Sequence, residues 1–241
     1  MVDRHLRPTS KIMFQELIAL IKDNFFLMGY AITLVVSLVY YRRYFDTVLK
    51  YFPILIGYTV LNEFLSYIVK KNKQLSFFDD LNYSDITEVI YNIYAIIFFA
   101  FFYFVYWQLI TNEKYRKWIF GSAILVLLAY VISSFYQNPA KTNLFYATAI
   151  GSWILVFCIV LYFDDKRLKK HEIIQTHNLM FWVSLALLIF YVIFPVFYLI
   201  GYLDYPSWEA YHLRVALRVL IVIMYGLFIV GFLRGRRHSF G

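Results

Sequence analysis

Charge is scarce in this chain: 16% of its 241 residues are Asp, Glu, Lys or Arg, against about 25% in an ordinary soluble domain. Cysteine is scarcer still. Cys158 stands alone inside an apolar run, so there is no intrachain disulfide, no CxxC pair and no zinc cluster to build. Of the five histidines, His5, His171, His177, His212 and His238, only His177 and His212 border apolar runs, and they are expected on opposite sides of the membrane. That excludes a bis-His haem and an intramembrane zinc site. No serine nucleophile elbow, glycine-rich phosphate loop or close pair of intramembrane aspartates is present. The last apolar run lacks a lysine for a retinal Schiff base, and no run carries arginine at every third position. The chain is therefore expected to be no enzyme and to carry no cofactor and no metal.

What is abundant is apolar surface. Hydrophobic residues make up 62% of the chain and aromatics 22%, with a mean hydropathy of +0.63. A membrane-spanning helix needs about 20 apolar residues, so a chain of this length and composition reads as a polytopic membrane protein with the lipid bilayer as its surroundings. The net charge of +8 would suggest nucleic acid in a soluble protein. Here Lys and Arg cluster at the ends of apolar runs, as topology signals do, and no nucleic-acid partner is expected. Heavy use of Phe, Tyr, Ile, Lys and Asn is also what an AT-rich genome produces, so aromatic abundance alone carries little argument.

The fold class expected is all-α, a polytopic transmembrane bundle of seven helices preceded by an interfacial amphipathic helix. That first helix falls at 10–23, where Ile12, Leu17, Leu20 and Ile21 gather near one face in a stretch too short to span. The spans fall at 24–41, 48–69, 85–110, 118–136, 144–163, 177–200 and 208–233, with Pro195 expected to kink the end of the sixth. The domains are then an N-terminal segment 1–23, a transmembrane domain 24–233 and a basic tail 234–241. The first run is followed by Tyr41-Arg42-Arg43 rather than a small-residue cleavage site, so a cleaved signal peptide is not expected. Arg42 and Arg43, then Lys114, Arg116 and Lys117, then Lys166, Arg167, Lys169 and Lys170, then Arg234, Arg236 and Arg237 fall on one side. By the positive-inside rule that side is cytoplasmic. The C-terminus is expected there and the N-terminus outside, in a bacterial inner (plasma) membrane. The basic N-terminal segment, with Arg4, Arg7, Lys11 and Lys22, dissents.

Ionisable residues inside spans cost about 2.5–3.5 kcal/mol each at a helix centre and are usually paired or functional. Four stand out: Glu63, next to Asn62, in the second span, Glu88 in the third, and Arg214 and Arg218 in the seventh. At 1.5 Å per residue all four lie in the outer half, Glu63 roughly 10 Å and Arg218 roughly 15 Å below the surface. Glu88 and Asn92 are four apart and share a face, as are Arg214 and Arg218. Tyr58, Tyr91, Tyr211 and His212 adjoin them as candidate pocket lining. Three readings stay open. The acids and bases neutralise one another and pin three spans together; they line an outward pocket in which an Arg fork anchors a carboxylate or phosphate; or the arginines snorkel to lipid headgroups.

The stretches LNEFLSYIVK at 61–70 and VIYNIYAIIFFAFFYFVYWQLI at 89–110, with the charged turn after them, resemble small seven-helix membrane proteins of flavobacteria-like bacteria, which are associated with neighbouring sensor histidine kinases. The layout is similar to the seven-helix sensory modules fused to some histidine kinases. The resemblance implies a receptor-like subunit with a membrane histidine kinase or another membrane protein as partner. It carries over no catalytic residue. With no kinase domain after Gly241, any output is expected to pass to another chain. The function expected is an integral membrane sensor or receptor-like subunit that binds a small anionic or amphipathic ligand from outside. The alternatives are a structural or accessory subunit of a larger membrane complex and a small-solute transporter.

Overall fold

The computed structural model describes residues 25–71, 83–168 and 178–235. The amphipathic helix expected at 10–23 and residues 236–241 of the basic tail lie outside them. Among the described residues eight α-helices run in order: α1 (Phe25–Val39), α2 (Phe52–Lys71), α3 (Tyr83–Leu109), α4 (Glu113–Tyr136), α5 (Phe145–Leu168), α6 (Leu179–Leu203), the short α7 (Tyr205–Ala210) and α8 (Leu213–Arg234). Among the described residues there is no strand. Six helices, α2 to α6 and α8, are long and apolar enough to cross a membrane. The protein is an integral membrane protein built as a helical bundle. α1 is apolar but has 15 residues, about 22 Å of helix against a hydrocarbon core of about 30 Å.

The ends of these helices follow from local chemistry. Asn112 and Asn178 cap α4 and α6, their side-chain oxygens accepting the N–H of Lys114 and Met180 at 3.0 and 2.8 Å. That satisfies donors a helix start leaves orphaned. α4 therefore begins at Glu113, before the apolar run does. α6 continues through Pro195 to Leu203, further than the apolar run at 177–200 suggested. The last run, expected to be continuous from 208, is broken at Tyr211 and His212. His212 takes φ 50° and ψ 37°, the left-handed region that non-glycine residues seldom visit.

Helix neighbours close into a ring. α1 packs on α2 and α8, α2 on α3, α3 on α5, α5 on α6, and α6 on α8. α4 stands outside this ring, wedged against α3 and α5, and is the least buried of the six long helices. Its C-terminal end shows the consequence: Phe135 and Tyr136 are 81% and 84% exposed. Large apolar residues such as Met28, Ile32 and Val35 point outward from α1, while Tyr30, Thr33 and Ser37 face the ring. Lipid tolerates the apolar face, and the polar groups find partners inside. Thr33 and Ser37 bond carbonyls of their own helix, Gly29 and Leu34, at 2.7 Å each.

Aromatic side chains fill the ring. Phe52 meets Phe102 and Phe228 edge-on, with centroids 5.9 and 5.1 Å apart, an arrangement that ring quadrupoles favour. Helices approach most closely at glycine. A Cβ on Gly151 would fall 2.9 Å from the Phe99 ring, and one on Gly231 would fall 2.8 Å from Trp182 Cβ. Tyrosine hydroxyls add bonds between helices: Tyr103 donates to the Gly151 carbonyl at 2.7 Å, and Tyr106 and Ser184 share a hydrogen bond at 3.0 Å. At the end where the positive residues cluster, Arg43 reaches from the turn after α1 to the carbonyls of Leu233 and Gly235. A cation there complements the C-terminus of α8.

Candidate functional site

At the opposite end of the bundle the intramembrane polar residues converge from α2 and α3. Tyr91 donates its hydroxyl to Glu63 Oε2 at 3.1 Å, with Ser66 beside the same hydroxyl and Glu88 within electrostatic reach of it. Tyr94 and Thr59 hydroxyls are 2.9 Å apart. Thr59 donates to the Leu55 carbonyl at 3.0 Å, which leaves Tyr94 as the donor of the pair. Tyr225 of α8 adjoins both, and its ring meets that of Tyr30 with centroids 4.4 Å apart. Tyr58 packs at 5.6 Å from Tyr94.

Asn92 sits one turn beyond Glu88. Its amide nitrogen donates to the carbonyls of Pro139 and Thr142 at 2.9 and 3.0 Å, and its oxygen accepts the N–H of Leu144 at 2.9 Å. The side chain thus pins the α4–α5 loop against α3. Asn62 is buried on α2. Arg218 is half-buried, its guanidinium 5.6 Å from the centroid of Phe26. Phe26 in turn lies edge-on to Tyr30, which is within electrostatic reach of Glu63. Arg214, Tyr211 and His212 are exposed.

Between α3, α5 and α6 lies a cavity of about 270 Å³, lined by Tyr91, Asn92, Tyr94, Ala95, Phe98, Phe99, Asn143, Thr148, Tyr191, Phe194 and Tyr198. Seven of these eleven are aromatic. From the level of Asn92 to that of Phe99 the cavity runs about 10 Å along α3. Glu88 lies on the same face as Asn92 and within electrostatic reach of Tyr198. Neither Arg214 nor Arg218 is in the lining. The residues that the sequence singled out therefore divide. Tyr91 and Asn92 reach the cavity, Glu63 and Glu88 adjoin its Tyr91 edge, and the arginines belong to the α1–α8 side.

Tyr191, Phe194 and Tyr198 of α6 and Thr148 of α5 carry no charge, and in a chain so rich in Tyr and Phe their type gave no signal. Gln137 at the start of the α4–α5 loop is likewise uncharged. It is buried, and both its amide atoms lack a hydrogen-bond partner among the described residues. Among those residues no three of His, Cys, Asp or Glu stand together as metal ligands do.

Compared with known proteins, the chain matches no family model, no curated protein and no solved structure.

Proposed function

We propose that the protein is a non-enzymatic sensor or receptor-like subunit with α1 as the first of seven spans. It takes a small amphipathic ligand into the cavity between α3, α5 and α6 and acts through a partner membrane protein, a histidine kinase being the kind that the sequence resemblance suggests. The observation that carries this reading is the cavity itself: mostly aromatic, about 270 Å³, with tyrosine hydroxyls, Asn143 and Thr148 as its polar points. Ligand sites have this make-up, an apolar body with a few placed polar groups, and run from about 300 Å³ upward, so the ligand is small. The nearby charges are the carboxylates of Glu63 and Glu88, while the arginines lie elsewhere. The cavity therefore suits a neutral or amine-bearing amphiphile better than the anion that an Arg anchor would take. Signalling requires that the ligand favour one helix arrangement over another, and α6, contributing three lining residues around Pro195, is the element placed to move.

The distribution of Lys and Arg supports a cytoplasmic location for the end bearing Arg43 and Arg116. Cysteines introduced at Asn72 and Lys169, with the native Cys158 buried, are expected to react with an impermeant thiol reagent at position 72 alone in intact cells.

The test of binding is thermal stabilisation of the purified protein by a panel of neutral, amine and carboxylate amphiphiles. Neutral or amine compounds are expected to stabilise the wild type and Arg214→Ala, and to lose their effect in Ala95→Phe, which fills the cavity. Absence of stabilisation across the panel, or an effect of carboxylates alone that Arg214→Ala abolishes, would overturn this reading.

A further inference from the structure

A second hollow lies on the outside of the bundle, on the face of α3 turned toward α4. Its walls are α3 and α4, and its lining is Ala100, Tyr103, Phe104, Trp107, Ile119, Phe120 and Ala123, enclosing about 320 Å³. Phe104 and Phe120 are exposed on its rim, so it opens on the surface that faces lipid tails. Ala100 and Ala123 supply the depth, because two small residues face each other where the helices separate. A smaller hollow of about 70 Å³ shares Ala100, Tyr103 and Ala123 and carries the trough on to Val126, Leu127 and Tyr130. The result is an apolar channel running along the helix axes, the shape of an acyl chain.

One end of the trough is charged. Trp107 closes it, and the Arg116 guanidinium lies over that ring at 4.3 Å from its centroid. Arg116 Nε is buried and makes no hydrogen bond among the described residues. Ile119 and Phe120, three and four residues on, line the trough, so Arg116 stands on the same face of α4 directly above it. Lys117, next in the chain, is exposed at the same helix end; Lys114 lies over Trp118 at 5.0 Å, on the side of α4 that meets Phe157 of α5. Acids among the described residues at this end of the bundle are Glu113, exposed at the helix start, Asp46, exposed in the turn after α1, Asp164, held by the Tyr115 hydroxyl at 2.6 Å, and Asp165, occupied by backbone N–H groups of Thr111 and Asn112. Lys114, Arg116 and Lys117 thus carry a positive excess at the first turn of α4, where the helix dipole also favours negative charge.

We propose that the α3–α4 crevice is a binding site for an anionic phospholipid, with one acyl chain in the trough over Ala100 and Ala123 and the phosphate at Arg116, where Lys117 adds charge at the same helix end. Juxtamembrane Lys and Arg each raise the local preference for anionic lipid by about fivefold. An apolar groove ending beneath them converts that diffuse attraction into a located site. This assignment is independent of the ligand cavity.

Native mass spectrometry of the purified protein, equilibrated with equal amounts of phosphatidylglycerol and phosphatidylcholine of the same chains, tests it. The wild type is expected to retain phosphatidylglycerol over phosphatidylcholine by about tenfold. Arg116→Gln is expected to bring the ratio close to one, and the surface pair Lys114→Gln with Lys117→Gln to lower it in part. Ala123→Phe, which fills the trough without touching a charge, is expected to lower retention of phosphatidylglycerol. Glycerol 3-phosphate, which has the phosphate and no chain, is expected not to compete. Equal retention of the two lipids by the wild type would overturn the proposal. So would a preference that survives both Arg116→Gln and the lysine pair, or displacement of the lipid by glycerol 3-phosphate.

Discussion

The side-chain oxygen of Asn92 on α3 accepts the backbone N–H of Leu144 at 2.9 Å, just before α5 begins. Together with the bonds from its nitrogen to Pro139 and Thr142, one asparagine fixes where α5 starts and where one wall of the cavity stands. Removing it leaves three backbone groups to find other partners, each at about 1–3 kcal/mol if buried. Asn92→Leu is expected to destabilise the protein by about 2–4 kcal/mol in detergent-induced unfolding. Asn92→Asp keeps an acceptor for Leu144 but loses the donors to two carbonyls, and is expected to be nearly as costly.

Two glycines on α8 are expected to respond to alanine with opposite signs. At Gly231 a Cβ meets Trp182 Cβ at 2.8 Å and Leu179 Cδ1 at 2.9 Å, whereas at Gly226 nothing lies within 4 Å. Gly231→Ala forces α6 and α8 apart, at about 1–3 kcal/mol for overpacking. Gly226→Ala gains helix propensity, up to about 1 kcal/mol. Unfolding midpoints of the two variants read this directly.

Asp165 is buried at the end of the bundle that bears Arg43 and Arg116, where it accepts from the backbone N–H of Thr111 and Asn112 at 3.2 and 3.1 Å and from the Thr111 hydroxyl. It holds the α3–α4 turn to the end of α5. Hydrogen bonds to a charged acceptor contribute about 1.5–3 kcal/mol. Asp165→Ala is expected to cost more than Asp165→Asn, which retains one acceptor oxygen. Hydrogen exchange at Thr111 and Asn112 is expected to accelerate in both variants, more in the first.

At the α6–α7 turn the Ser207 hydroxyl and backbone N–H hold the exposed Asp204 carboxyl below the usual carboxylate range. A depressed acid stabilises the fold above its unfolded value, near 3.9, and loses that contribution as pH falls through the folded value. Order in the turn is therefore expected to be constant from pH 7 to about 5 and to decline below about 4. Asp204→Ala is expected to be less ordered at neutral pH and to show no such decline. Limited proteolysis of the α6–α8 connection as a function of pH checks this.

The apolar runs were legible because a membrane imposes length and composition together. Six of them are long helices whose ends differ from the expected ones by a few residues. The differences have causes that hydropathy does not see. Asn112 starts α4 five residues before the apolar run, since capping follows hydrogen bonding and ignores polarity. The break at Tyr211 and His212 is a matter of backbone torsion. Of the residues that the sequence singled out, Tyr91 and Asn92 line the cavity, and Glu63 lies next to it through its bond from Tyr91. Asn92 was singled out as a pocket residue, and its amide in addition clamps a loop, a role that depends on where the chain returns 50 residues later. Tyr191, Phe194 and Tyr198 passed unseen because aromatic residues are everywhere in this sequence.

The closed ring of helices has a consequence for how the protein is made. Synthesis delivers the helices in order, and each new one has a waiting neighbour except at the seam. α1, the shortest, has α2 beside it early, but its other partner is α8, separated from it by the whole of the bundle in sequence. Until α8 enters the membrane, the polar inner face of α1, with Thr33, Ser37 and Tyr30, borders an open gap. α6 waits for the same helix at Gly231. Assembly therefore finishes in one late step, when α8 slides between two helices already in place and the Leu233 carbonyl arrives within reach of Arg43.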